Sequence, residues 1–199
     1  MYQVEQDRQS VATDFKDDYK AFLKDCKIKL TIVPLSDDNL ERVHELTQRT
    51  NQMNFSGSRY DRNMLRSILN TSYLDTYVLT CEDRFGSYGI VGFGMVDIRE
   101  PRLTDLMFSC RIQSKRVEHA FLRCIVEKYI ALTGKDFQAN YRKTPRNAPS
   151  GQVFADLGMQ ETGLNDGVTS LTFPHDGRVP DDCIINVNIQ ESNVAVGQP

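Results

Sequence analysis

Cys110 sits between Ser109 and Arg111, and its type and setting suit covalent chemistry. A thiol beside a guanidinium can lose its proton and attack an activated carbonyl as a thiolate. A small buried core residue is the other common fate of a free cysteine, and the residues alone leave both readings open. Asn51, Gln52 and Asn54, with Thr50 just before them, crowd the turn-forming stretch NQMNFSGSRY at 51–60. Side-chain amides at such density either satisfy their own loop backbone or line a pocket. Asn147 follows Pro145 and precedes an apolar helical pattern, with Pro149 two residues on, so it is a candidate helix cap. His119 lies beside an apolar helix face, where a structural role is the simpler expectation. Neither it nor His44 and His175 is paired with Cys or another His at ligand spacing, so no metal site is expected.

These residues must be positioned by a mixed α/β domain. KIKLTIVP at 27–34 alternates polar and apolar and reads as a strand. Ser36-Asp37-Asp38 offers a cap for a helix carrying Leu40, Val43, Leu46 and Thr47, and Asp61 caps a second through Leu65, Ile68 and Leu69. Three strand-like runs follow at Tyr73–Cys81, Gly89–Ile98 and Leu103–Ile112; their short separations imply an antiparallel meander. Lys115 to Thr133 is the strongest helix, with Gly134 as its stop. A strand at Asp136–Tyr141, a helix through Val153, Phe154 and Leu157 ending at Gly158, and a strand at Val168–Phe173 complete the pattern. We expect a helical lead-in at 1–26, the α/β domain at 27–175, and a short strand with a polar tail at 176–199. Val4, Val11, Phe15, Tyr19, Phe22, Leu23 and Cys26 recur at helical spacing, an apolar face that needs a partner, either another protein or a second copy in a homodimer.

At 199 residues, 40% apolar and 26% charged, the chain suits one domain with a real core. A net charge of -3 gives no global field for nucleic acid. No apolar run reaches bilayer length, and the polar start is not a secretory signal. Five scattered cysteines without a C-x-x-C pair read as reduced thiols in a cytoplasmic protein.

Four segments, in order, resemble FkbH-like proteins: LERVHELTQRTNQMNFSGSRYDRNML at 40–65, DRFGSYGIVG at 83–92, FSCRIQSKRVEHAFL at 108–122 and KTPRNAPSGQVFADLGM at 143–159. The resemblance implies the carboxyl-terminal domain of that family, an N-acetyltransferase-like (GNAT) mixed sheet flanked by helices. It also implies acyl transfer, of a glyceryl-type unit, involving the phosphopantetheine thiol of an acyl carrier protein. The family's HAD-type phosphatase-like half, with its D-x-D-x-[TV] motif, has no counterpart in these residues. It is therefore expected as a separate partner, and the family's full chemistry is not carried over.

The GNAT resemblance also implies that Gln113, Ser114, Lys115, Arg116 and Val117 form the turn that holds a CoA pyrophosphate at a helix N-terminus. Asn147 would touch the pantetheine arm, Cys110 would lie near the acyl carbonyl, and Thr50, Asn51, Gln52, Asn54 and Arg111 would line the pocket. Two departures stand out. Arg116 and Glu118 occupy positions where glycine, and glycine or alanine, are usual. Phe154 stands where a proton-donating tyrosine is common, leaving Tyr129 or Tyr141 to substitute. A pantetheine arm, with one phosphate to be held, fits such a turn better than CoA. A docking module without chemistry and a small-molecule N-acetyltransferase using acetyl-CoA are the competing expectations.

Overall fold

The computed structural model describes residues 18–190, so Val4, Val11, Phe15 and the tail from 191 onward lie outside the described residues. Asp18 opens α1 (Tyr19–Asp25) by accepting from the Ala21 amide, and β1 (Lys29–Val33) follows. The expected caps then appear. The Ser36 amide donates to Asn39 Oδ1 at the start of α2 (Asp37–Arg49). Asp61 accepts from the Met64 amide at the start of α3 (Arg62–Leu69).

The meander is β2 (Leu74–Asp83), β3 (Gly86–Asp97) and β4 (Arg102–Phe108), all antiparallel. A short 3-10 turn, Cys110–Ile112, precedes the long α4 (Val117–Thr133), which ends on Gly134 at φ +63°. Then come β5 (Phe137–Tyr141), α5 (Gln152–Asp156), β6 (Gln160–Asn165), β7 (Val168–Phe173) and β8 (Asn186–Ile189). One eight-stranded sheet results, in the order β6-β7-β5-β4-β3-β2-β1-β8.

Two apolar clusters clothe the sheet. Leu40, Val43 and Leu46 of α2 and Leu65 of α3 pack on Val78, Phe93 and Met107. Phe121, Leu122, Ile125 and Val126 of α4 join a larger cluster with Leu79, Val91 and Leu106. Phe22, Leu23 and Cys26 of α1 belong to this second cluster, as do Val179 and Ile184 near the carboxyl end. Of the described part of the lead-in, Phe22, Leu23 and Cys26 are therefore core of the same domain, while Tyr19 stays half exposed. Among the described residues no helix is long and apolar enough to cross a membrane.

The sequence expectations differ from the structure at three points. The run Leu103–Ile112 is not all strand: β4 stops at Phe108, because Ser109 Oγ accepts from the Arg111 amide and turns the chain. The long helix starts at Val117 rather than Lys115, since Ser114 and Arg116 adopt left-handed φ values of +64° and +62°. β6 was not anticipated, because every residue of QETGLN is exposed and no apolar alternation marks it. The signal for it was the Asp166-Gly167 dipeptide, both at positive φ, which closes the β6–β7 hairpin.

Asp105 of β4 is buried, and its Oδ1 has no hydrogen-bond partner. Burial raises its pKa, an effect only partly offset by the Ser56, Tyr60 and Ser58 hydroxyls. A raised carboxyl pKa means that the folded state holds the proton more tightly than the unfolded chain. Its stabilising effect is present below the unfolded value of about 3.9 and fades as pH rises through that value toward the folded one. Asp105→Asn should therefore gain stability relative to the parent as pH rises from about 4, then hold a constant advantage. Urea denaturation of both proteins from acid to neutral pH checks this; parallel stability curves would refute it.

Candidate functional site

β4 and β5 run parallel but share only two register pairs, Arg102–Gln138 and Leu103–Ala139. Beyond them the strands part, and the chain itself fills the opening. The Phe55 amide donates to the Leu106 carbonyl and the Phe108 amide to the Met53 carbonyl, each at 2.9 Å, so residues 53–55 pair with the free edge of β4. On the other side the Arg142 amide, just past β5, donates to the Phe55 carbonyl at 2.8 Å. Met53 and Phe55 are fully enclosed.

Asn147 pins this insert. Its Nδ2 donates to the carbonyls of Asn54 (2.7 Å) and Arg142 (3.0 Å), while its Oδ1 accepts from the Thr144 amide at 2.8 Å. The Tyr141 hydroxyl also donates to Asn147 Oδ1, at 3.2 Å. Asn147 is thus a buried clamp, whereas α5 is entered at Gly151. Phe154, the residue without a proton to give, packs edge-on against Phe55 with ring centroids 5.6 Å apart. Neither tyrosine suggested as its substitute reaches the open site. Tyr129 is buried beside Tyr77, its hydroxyl 2.8 Å from that of Tyr77 and donating to the half-buried Asp75, and burial raises its pKa well above the usual phenol range. Tyr141 is held on Asn147.

An open cleft of about 690 Å³ lies next to the filled opening. Cys110, Arg111, Thr50, Asn51 and Gln52 line it, together with Met53, Phe108 and Ser109. Cys110 is exposed, which excludes the buried-core reading for it. The Arg111 guanidinium donates to Ser109 Oγ (3.1 Å) and the Ile90 carbonyl (3.2 Å), so it is fixed at the rim. Thr50 donates to the Leu46 carbonyl, and Asn51 accepts from Arg59. Asn54 does not reach the cleft. Its Oδ1 accepts from the Gly57 amide and its Nδ2 donates to the Ser58 carbonyl, so it satisfies its own loop. Sequence reading missed Arg42, Glu45, Arg49 and Arg146, which also line it. Arg42, Glu45 and Arg49 are spaced three and four apart, one helix face, and that spacing was a usable signal.

Gln113, Ser114, Lys115, Arg116 and Val117 lie apart from this cleft, in the turn before α4. Val117 is buried in the core. Arg116 is ion-paired with Asp182, and the Tyr19 hydroxyl donates to the Ser114 carbonyl at 2.9 Å. Glu118, in the first turn of α4, is more than nine-tenths buried and its Oε2 is unpaired. His119 Nε2 lies 3.0 Å from Asp156 Oδ2, and its Nδ1 lies 3.6 Å from Glu118. Burial works to lower the His119 pKa, but its two carboxylate neighbours outweigh that and raise it. An incoming pyrophosphate would meet the buried Glu118 at the very helix end whose dipole favours anions, and the cations beside it, Arg116 and His119, are already paired with Asp182 and Asp156. These residues do not fit the pyrophosphate of CoA. Among the described residues no cluster of three or more His, Cys, Asp or Glu suits a metal ion.

No family model matches the chain, and no curated protein matches it in sequence. Solved structures do match in shape. A domain from Methanocaldococcus jannaschii aligns with a TM-score of 0.61 at 15% identity, over 74% of this chain and 99% of its own. The ribosomal-protein-S18-alanine N-acetyltransferase of Escherichia coli aligns with a TM-score of 0.57 at 14% identity, over 75% and 96%. The spermidine N-acetyltransferase of Vibrio cholerae, solved with CoA and spermine, gives 0.57 at 13%, over 73% and 95%. The chain therefore has the GNAT-type N-acetyltransferase fold, a mixed open sheet flanked by helices. At these identities the likeness is one of fold.

Asn147→Ala should remove the clamp and leave the Asn54 and Arg142 carbonyls without their partner. We expect a loss of about 2–4 kcal/mol in stability. Hydrogen exchange at the Phe55 and Phe108 amides should quicken more than at the β2–β3 ladder. Uniform loosening across the sheet would contradict the clamp.

Proposed function

We propose that this chain is an acyltransferase that receives the acyl group of a pantetheine thioester in the cleft, with Cys110 as the accepting thiol. The observation that carries this reading is the assembly of an exposed Cys110 with Arg111, Thr50, Asn51 and Gln52 around one opening at the end of β4. The step is a thioester exchange. Cys110 Sγ attacks the carbonyl carbon and gives up its proton; the bond from that carbon to the pantetheine sulfur breaks; the pantetheine sulfur leaves and takes up a proton, so the thiol inventory is unchanged. No oxidant is involved. An amine or hydroxyl acceptor, or a second thiol, then takes the acyl group from Cys110.

A carrier-bound arm suits this site better than CoA, because its single phosphate need not reach the carboxylate-rich start of α4. The proposed partners are accordingly an acyl carrier protein and a HAD-type phosphatase-like protein, as in the FkbH-like family that the four motifs resemble. One observation favours a second reading, acetyl-CoA-dependent N-acetylation of a small amine. The Escherichia coli and Vibrio cholerae proteins of the same fold are N-acetyltransferases by name.

Intact-mass measurement separates the readings. The protein is incubated in one arm with an acyl-phosphopantetheinyl carrier and in the other with acetyl-CoA and a polyamine. The expected result is an acyl adduct in the first arm that Cys110→Ala abolishes. Amine acetylation in the second arm that Cys110→Ala leaves unchanged would establish the N-acetyltransferase instead. Absence of transfer in both arms would leave only a docking role.

A further inference from the structure

The cleft beside Cys110 concentrates one kind of charge. Arg42, Arg49, Arg111 and Arg146 line it against a single carboxylate, Glu45, in a chain whose net charge is -3. Two of the four are already engaged. Arg42 is paired with Glu45 at 2.9 Å, and Arg111 is held by Ser109 and the Ile90 carbonyl. Arg49 and Arg146 are exposed, and neither has a hydrogen-bond or ion-pair partner among the described residues. Arg49 closes the last turn of α2, where it offsets the helix dipole in part. Arg146 lies in the loop after β5 and has no such task.

Unpaired guanidiniums converging on one concave site repel each other and gain from a shared counter-anion. Their planar forks match carboxylate and phosphate oxygens. Thr50, Asn51 and Gln52 on the same wall add hydroxyl and amide groups suited to a polar ligand.

We propose that this cleft is an anion site: Arg49 and Arg146, with Arg111 fixed beside them, bind a carboxylate or phosphate carried by the ligand that presents its acyl group to Cys110. The identity of the ligand rests on the acyl-transfer reading above, whereas anion binding itself does not require Cys110. The anion has two sources, the phosphate of the pantetheine arm or an acidic group on the acyl unit.

Calorimetric titration at low salt separates them. The probes form two pairs, pantetheine with 4'-phosphopantetheine and acetylpantetheine with succinylpantetheine. At least one anionic member should bind about 10-fold or more tightly than its neutral partner, and Arg49→Gln with Arg146→Gln should erase that preference. A preference within the first pair assigns the anion to the arm; one within the second assigns it to the acyl unit. Both guanidiniums are exposed, so the double variant should melt as the parent does, and Arg49→Lys with Arg146→Lys should restore part of the preference. Equal affinities within both pairs, or a preference that survives the double Gln variant, would overturn the proposal. A preference that persists while Cys110 is never acylated would remove the thiol chemistry and leave the anion site standing.

Discussion

Two parallel strands that touch at one end must either close or be filled, and this fold depends on how the opening between β4 and β5 is filled. Buried backbone amides and carbonyls need partners. The edge of β4 beyond Leu103 finds them in residues 53–55, and Arg142 finds one in the Phe55 carbonyl. An extended ligand adding to β4 there would compete with bonds the chain already makes. The insert also has an apolar anchor. Phe55 sits among Phe108, Tyr141 and Phe154, so moving it would open a cavity as well as break hydrogen bonds.

Seen from this insert, residues that look like losses acquire a use. Phe154 cannot donate a proton, but a phenol hydroxyl at that enclosed position would need a partner, whereas a bare ring packs on Phe55 without one. Arg116 is not glycine, yet it takes the left-handed conformation glycine adopts freely, at a cost on the order of 1 kcal/mol. Its ion pair with Asp182 ties the turn before α4 to the segment leading into β8. The turn keeps its shape, while its charge is spent within the chain.

How far the sequence foretold all this varies with the range of the interactions. Caps and stops at Asp61 and Gly134 were legible because they act within a few residues. The meander was legible because its turns are short. The cleft was partly legible: Cys110, Arg111 and Thr50 to Gln52 belong to two motifs that meet at the end of β4. Asn147 was misread as a cap, since its partner Asn54 lies 93 residues away and no local pattern announces such a pair. Asn54 was misread as pocket lining for the complementary reason, because its side chain closes the loop that carries it. Arg146 could not be paired with Arg49 before β5 and α2 were placed.

The distribution of charge then decides between two places for an anion. The start of α4 has the dipole, but the buried Glu118 stands in its first turn, and its cations Arg116 and His119 are already paired with Asp182 and Asp156. A buried carboxylate with an unpaired oxygen is already costly, and a second anion beside it would add repulsion in a poorly screened setting. The cleft at the end of β4 has only the single 3-10 turn at Cys110–Ile112, yet four arginines line it against one glutamate. Full charges on side chains outweigh the half-charge of a helix end. The charge distribution therefore favours the proposed anion site beside Cys110 over the turn that the fold class would suggest.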